Sequence, residues 1–186
     1  MGDWVWDGGR LSIDLLNTVR HRARSPRETL RTPADLAVWL READLPHGED
    51  AVGEAALSAA RRLRAAIDAL TGVPSAEELA GEVTLPVAVA LVNAMAADAP
   101  TGPRLALDGA RPVAVPPEPS VAAALGRVAL DAIDLLTGGE RIGVCAADDC
   151  GVRFADRSPA QNRQWCSMRR CGNRSKARRH YTRSTT

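Results

Sequence analysis

The sequence contains no apolar run long enough to cross a membrane: nothing in its 186 residues approaches the roughly 18–20 apolar residues that a transmembrane helix needs. The first ten residues, MGDWVWDGGR, lack the basic segment and the apolar segment of a signal peptide. Trp6 stands where a myristoylation signal requires Ser or Thr, so Gly2 is not expected to carry a lipid. These absences predict a cytoplasmic protein, in which cysteines stay reduced.

The sequence also lacks the common catalytic motifs. It has no Ser/His/Asp or Cys/His arrangement, no glycine-rich phosphate loop and no HExxH element. His21 and His47 stand alone, and the carboxylates are scattered without an evident catalytic pair. We therefore expect no enzymatic activity.

The charge is divided unevenly along the chain, although the formal net charge is only +1. Residues 1–140 hold 13 Arg and 20 Asp or Glu, a net charge of −7. Residues 141–186 hold 11 Arg or Lys and 3 Asp, a net charge of +8. Such a basic segment on an acidic body indicates a polyanionic partner or an acidic protein surface.

Helical periodicity dominates the first 139 residues. A clear helix start is Thr32, followed by Pro33 and Asp35, which is the pattern of an N-cap, a first helical position and an acidic first turn. Ser75 and Glu78 form a second capping-box pattern. Apolar stripes predict further helices over 11–20, 50–71, 87–98 and 121–137. The predicted fold class is mostly α, with a helical N-terminal domain.

A small β-hairpin is predicted inside this helical domain. The segments RLALDG and RPVAV alternate in polarity around Asp108-Gly109, a strong turn signal. We expect one face of the hairpin to be exposed and the other to be buried through four apolar side chains, those of Leu105, Leu107, Val113 and Val115.

All four cysteines lie within 27 residues, as two Cys-x4-Cys pairs separated by fifteen residues: Cys145, Cys150, Cys166 and Cys171. Two cysteine pairs joined by a short spacer are typical of a tetrahedral zinc site, and thiolates suit Zn²⁺. Few large apolar side chains follow residue 143, so a bound metal would supply stability that burial cannot. A disulfide pair, an iron–sulfur cluster or redox-active thiols are the alternatives. Four protein ligands leave no open position, which predicts a structural Zn²⁺.

The second cysteine pair is not compatible with a regular helix. Residues five apart on an α-helix differ in direction by about 140°, so Cys166 and Cys171 cannot share one helix face. We expect Gly172 to support a turn there. From Asn173 onward no helix breaker occurs, and the segment predicts a basic helix at the end of a small four-cysteine zinc finger.

Seven basic residues lie within fifteen positions of this C-terminal segment, and they are the candidate nucleic-acid contacts: Arg169, Arg170, Arg174, Lys176, Arg178, Arg179 and Arg183. Arginine-rich helices supply the donors that phosphates and guanine edges accept. One alternative is a solvated tail, or one paired with the acidic body. Others are an RNA-binding module and a zinc-stapled module that docks an acidic protein partner.

The finger resembles the CGNR-type zinc finger. The motif residues are WCSM at 165–168, CGNR at 171–174 and Lys176, preceded by Phe154 and Asp156 and by the sequence RQWC at 163–166. The earlier segments LSIDLLNTV and LAVWLREADL are similar to the ABATE domain, which precedes this finger in bacterial proteins. The resemblance implies an ABATE-like helical domain over 1–139 and a CGNR-type finger over 140–186.

The same resemblance implies zinc on the four cysteines and a role as a stress-response transcription regulator that binds DNA through the finger. One finger covers few base pairs, so specific recognition would require a homodimer or a helper protein. The acidic body and basic tail also suggest that the helical domain senses a small-molecule or protein effector and alters exposure of the basic helix.

Overall fold

The structure is a computed structural model that describes residues 4–22, 24–48, 52–73 and 83–184. The helices are α1 (Leu11–Leu16), α2 (Pro33–Glu42), α3 (Glu54–Leu70), α4 (Leu85–Ala96), α5 (Val121–Thr137) and α6 (Asn173–Ser184). The strands are β1 (Val19–Arg20), β2 (Arg27–Glu28), β3 (Arg104–Asp108), β4 (Arg111–Val115), β5 (Arg141–Val144) and β6 (Arg153–Asp156). They form three antiparallel two-stranded hairpins, and the predicted mostly-α fold class is confirmed.

The helices pack into one bundle. Helices α3, α4 and α5 contact one another, α1 lies against α3 and α5, and α2 packs on α3. Their apolar stripes meet in one continuous core, whose fully buried members include Trp39, Leu40, Leu57, Leu63, Ile67 and Val128. Within the described ranges, no helix has the length and apolar character needed to cross a bilayer.

Local capping determines where two of these helices begin. The Thr32 side chain accepts a hydrogen bond from the Asp35 N–H, and Asp35 accepts one from the Thr32 N–H, which confirms the predicted helix start. Ser120 caps α5 by accepting from the Ala123 N–H. The predicted Ser75–Glu78 capping box lies outside the described residues.

Two predicted helix boundaries are wrong. The helix predicted over 87–98 begins at Leu85 instead, and it holds Pro86 in its first turn. Proline is tolerated there because the first N–H groups of a helix have no intrahelical acceptor. The helix expected over 11–20 ends at Leu16, and Val19 begins the short β1–β2 hairpin instead.

The buried face predicted for the β3–β4 hairpin is also wrong. Leu105 is 80% exposed and Leu107 is 71% exposed. The two-residue loop pairs Leu105 with Ala114 and Leu107 with Pro112. Because side chains alternate between faces, this register places Val113 and Val115 on the face opposite the two leucines. The four apolar residues therefore do not form one surface.

Helix α5 approaches the turn after α4 at Gly126. A Cβ atom at this position would lie 2.4 Å from the Ala99 backbone nitrogen and 2.7 Å from its Cα. Such distances are incompatible with any side chain unless the backbone moves, so the glycine permits the contact between helix and turn.

Burial, assisted by the nearby Asp7 and Asp131, raises the pKa of the Asp14 carboxyl to about 7. The Gly8 N–H, which donates a hydrogen bond to Oδ1 at 2.9 Å, offsets part of this rise. A carboxyl that holds its proton more tightly when folded stabilises the protein fully at low pH. That stabilisation is lost as the pH rises from about 4 to about 7.

We expect Asp14→Asn to stabilise the protein more at about pH 8 than at about pH 5.5, by on the order of 1–2 kcal/mol. The amide stays neutral and keeps the oxygen that accepts from Gly8. Urea unfolding of variant and parent at both pH values measures the difference. A gain that does not depend on pH would contradict the raised pKa.

Candidate metal centre and nucleic-acid interface

The first cysteine pair lies at the end of the β5–β6 hairpin. Cys145 follows β5, and its N–H donates to the Val152 carbonyl at 2.9 Å. Cys150 closes a tight turn through its N–H and the Ala147 carbonyl at 3.0 Å. Gly151 then adopts φ +65°, a left-handed conformation that suits glycine, and directs the chain into β6. The hairpin thereby turns both thiols toward the same side.

The second pair is positioned by a wide helical turn. The Ala146 N–H donates to the Gln164 carbonyl at 2.8 Å, which holds the returning chain beside the first pair. Cys166 precedes a π-helical turn, Met168–Gly172, that contains Cys171. This confirms that the two cysteines do not share a regular helix face.

Gly172 lies in a turn beside Cys171, as predicted, and this turn is π-helical. Gly172 is part of the π-helical turn and has no positive φ. A Cβ atom there would lie 2.6 Å from the Met168 sulfur and 3.3 Å from the Trp165 ring. The side chains that pack over this position of the turn favour glycine there.

The four sulfurs fit one tetrahedral metal ion. All four lie within 4.8 Å of one another, and the Cys150–Cys166 and Cys166–Cys171 sulfurs are 3.7 Å apart. With Zn–S bonds of about 2.3 Å, a tetrahedron places its sulfurs about 3.8 Å apart. All four residues are buried, so the cluster forms a closed structural site. The four cysteines are the zinc site of the finger, and the bound ion would join the hairpin to the π-helical turn.

The crowded thiols have strongly shifted pKa values. Hydrogen bonds from the Cys150 and Cys166 side chains lower the pKa of Cys145. The bond to Cys145 in turn raises the pKa of Cys150, and the pKa of Cys166 is raised for the same reason. Because zinc binds thiolates, loading the site must release the remaining thiol protons, and zinc affinity should decrease as the pH is lowered.

A compact shell surrounds the cysteines. The Phe154 ring is fully buried among them, and the Arg163 guanidinium lies 4.5 Å from its centroid on the outer side. Asp156 accepts from the N–H groups of Ser158 and Arg163, at 3.0 and 2.9 Å, which shapes the loop between the cysteine pairs. Arg163 also donates to the Trp165 carbonyl at 2.8 Å.

Strand β6 attaches this finger to the helical bundle. The Asn17 side chain exchanges two hydrogen bonds with the Arg153 backbone, at 2.9 and 3.0 Å. The Ala155 N–H donates to the Gly8 carbonyl at 2.8 Å. The Arg153 side chain is only 2% exposed and forms an ion pair with Asp68 on α3. The finger therefore packs on the bundle through a buried polar contact.

Sequence reasoning missed the residues of this contact. No sequence pattern singled out Arg153, and Asn17 fell inside the helix predicted over 11–20. The signal that could have found this contact is the polar Asn17 in the ABATE-like motif LSIDLLNTV. The structure shows that Asn17 is buried.

The predicted nucleic-acid contacts all lie on the π-helical turn and on α6. Arg169, Arg170, Arg174, Lys176 and Arg178 are exposed, while the side chains of Arg179 and Arg183 are outside the described part of the chain. Two of the exposed residues already contact carboxylates. Arg170 lies 3.3 Å from Asp7 and Arg174 lies 2.9 Å from Asp149. Arg169 and Lys176 have no ion-pair partner among the described residues.

Comparison with known families gives two matches. Residues 9–139 match the model of the ABATE family, described as "Putative stress-induced transcription regulator". Residues 141–184 match the model of the CGNR zinc finger. No curated protein matches the chain. The two matches confirm both resemblances.

Proposed function

Because the chain belongs to the ABATE family and carries a CGNR zinc finger, we propose that it is a cytoplasmic transcription regulator that binds duplex DNA through the finger. The basic segment 169–183 would contact the DNA. The zinc would shape this segment and take no part in chemistry.

The observation that carries the proposal is the position of the basic helix relative to the cysteine cluster. Cys171 lies two residues before Asn173, where α6 begins. A metal on Cys171 therefore fixes the start of a helix whose Lys176 and Arg178 are exposed. A rigid, exposed basic helix can present several donors to phosphates at once.

The basic residues of this segment differ in whether they already contact a carboxylate. Arg170 pairs with Asp7 of the acidic body, whereas Arg174 pairs with Asp149 within the finger itself. These pairs are partly exposed, so each contributes little and could be exchanged for phosphate contacts. Arg169 and Lys176, which have no such partner among the described residues, are our first candidates for phosphate contacts.

The test is a titration of labelled duplex DNA with zinc-loaded protein over a salt series. If six side chains contact phosphates, log K should fall with log salt at a slope of about −5. The double variant Arg169→Gln/Lys176→Gln should bind more weakly and reduce the slope by about 2. The matched control is Arg127→Gln, an exposed arginine on α5, which should leave the slope unchanged. Absence of binding at low salt would refute the proposal.

The alternative is an RNA-binding or protein-interaction module. Phe154 is fully buried, so it is not positioned to stack on an unpaired base. Single-stranded RNA in the same titration separates these functions. An RNA-binding module would prefer it to duplex DNA, and a protein-interaction module would bind neither. An effector of the helical domain stays a prediction.

A further inference from the structure

The β3–β4 hairpin presents an apolar face to solvent. Leu105, Leu107, Pro112 and Ala114 share this face in the observed register, and all four are exposed. Neither strand packs extensively on another helix or strand in the described part of the chain. An isolated two-stranded hairpin is marginally stable in water, and a larger sheet is the usual remedy.

The two outer edges of this hairpin differ. In a two-residue turn the closing pair, Asp108 and Arg111, is hydrogen-bonded. Alternation along the strands then makes Leu107–Pro112 a non-hydrogen-bonded pair, so residue 112 faces outward. Pro112 has no N–H to donate, and it blocks pairing along β4. The N–H and C=O groups of Leu105 and Leu107 point outward along β3, which leaves β3 as the edge able to pair.

The sequence of β3, Arg-Leu-Ala-Leu-Asp, is complementary to itself when antiparallel. With Ala106 on a two-fold axis, Arg104 of each copy lies opposite Asp108 of the other. Leu105 of each copy lies opposite Leu107 of the other. We propose that β3 is a homodimer interface, at which two copies join their hairpins into a four-stranded antiparallel sheet.

The backbone pattern supports this register. Leu105 and Leu107 both point their polar groups outward, so they can form a hydrogen-bonded pair across the interface. The pairs of Ala106 with Ala106 and of Arg104 with Asp108 are then non-hydrogen-bonded, the kind in which side chains approach most closely. If the register shifted by one residue, backbone N–H and C=O groups that point outward from one copy would lie opposite groups that point inward in the other. A shift by two residues would separate both pairs of opposite charges.

The charges favour a second copy over an unrelated partner. Strand β3 carries both Arg104 and Asp108 and both Leu105 and Leu107. Two copies of β3 therefore form two ion pairs and two leucine pairs, as a two-fold interface requires. The two leucine pairs also extend the apolar face across both hairpins. The inference rests on the hairpin alone and holds whether or not the finger binds DNA. In a DNA-bound regulator it would bring two fingers into one particle.

Charge reversal tests the interface in the full-length, zinc-loaded protein. Sedimentation velocity over a wide dilution series should give twice the chain mass of 19.7 kDa. Arg104→Asp and Asp108→Arg each place like charges opposite one another and should weaken dimerisation at least tenfold. The double variant Arg104→Asp/Asp108→Arg should recover it. Circular dichroism and zinc content establish that each variant is folded.

A wild-type protein that stays monomeric throughout the dilution series would overturn the proposal, even if its β3 edge bound an unrelated protein. So would a double variant that dimerises as weakly as the single variants.

Cysteine cross-linking tests the register independently. Ala106→Cys would place two thiols across the two-fold axis with Cα atoms about 4.5 Å apart, within disulfide range. Mild oxidation of the zinc-loaded variant should give a covalent dimer on a non-reducing gel. Ala114→Cys is the matched control on β4, where the two copies would be separated by three strand spacings, about 14 Å. Equal cross-linking of both variants, or of neither, would contradict β3 pairing.

Discussion

Cys166→Ser is expected to abolish stoichiometric zinc binding and to unfold the finger. Cys166 is fully buried, and its sulfur lies 3.7 Å from the sulfurs of both Cys150 and Cys171. Serine offers a poor ligand for Zn²⁺ and leaves a hydroxyl inside the cluster. Structural zinc contributes about 10–16 kcal/mol in isolated finger peptides, which is comparable to the total stability of a whole domain.

Metal analysis of the reduced, purified variant measures the loss directly. Circular dichroism before and after addition of a chelator should show a change in the parent protein and none in the variant. Ser167→Ala is the matched control, because it alters the neighbouring residue and spares the sulfurs. Retention of one zinc per chain by the Cys166 variant would rule out the four-cysteine site.

Asp68→Asn should destabilise the whole protein by about 3–5 kcal/mol, the usual cost of removing one partner from a buried ion pair. Asp68 contacts two buried guanidinium groups. Its Oδ2 lies 2.9 Å from Arg22, and its Oδ1 pairs with Arg153. Burial lowers the pKa of each arginine, and together with repulsion from Arg64 at Arg22 and from Arg22 at Arg153 it brings both pKa values to about 10. Asp68→Asn removes the negative charge that offsets the cost of burying both guanidinium groups.

Urea unfolding measures the change, with far-UV circular dichroism reporting mainly on the helices of the bundle and zinc release reporting on the finger. The two probes should separate in the variant, because Asp68 belongs to α3 and Arg153 to the finger. Asp134→Asn is the control. Asp134 is 70% exposed and shares Arg10 with Asp131 and Glu140, so its loss should cost less than about 1 kcal/mol. Equal losses in both variants would mean that the Asp68 contact is not a buried pair.

The features predicted correctly depend on residues near one another in the chain. Thr32 and Asp35 are three residues apart, and their capping box follows from that spacing alone. The two cysteine pairs lie within 27 residues, so composition and spacing were enough to predict zinc. The family matches and the sulfur geometry support the same site.

The features that were missed depend on distant partners or on register. The hairpin was predicted correctly but its buried face was predicted wrongly, because the position of the two-residue loop decides which side chains share a face. Arg153 is buried only because Asp68, Thr71 and the Val73 carbonyl meet it from α3 and the turn that follows. No local pattern around residue 153 contains those partners.

The sequence by itself determined the mostly helical body, the zinc ligands and the basic final helix, since periodicity, cysteine spacing and charge are properties of neighbouring residues. Only the tertiary structure decided that the finger is attached to the bundle through Asn17 and Arg153, that Arg170 and Arg174 contact carboxylates, and that β3 pairs with β4 alone among the described strands. The physical reason is that ion pairs, burial and strand register depend on groups that folding brings together from distant parts of the chain.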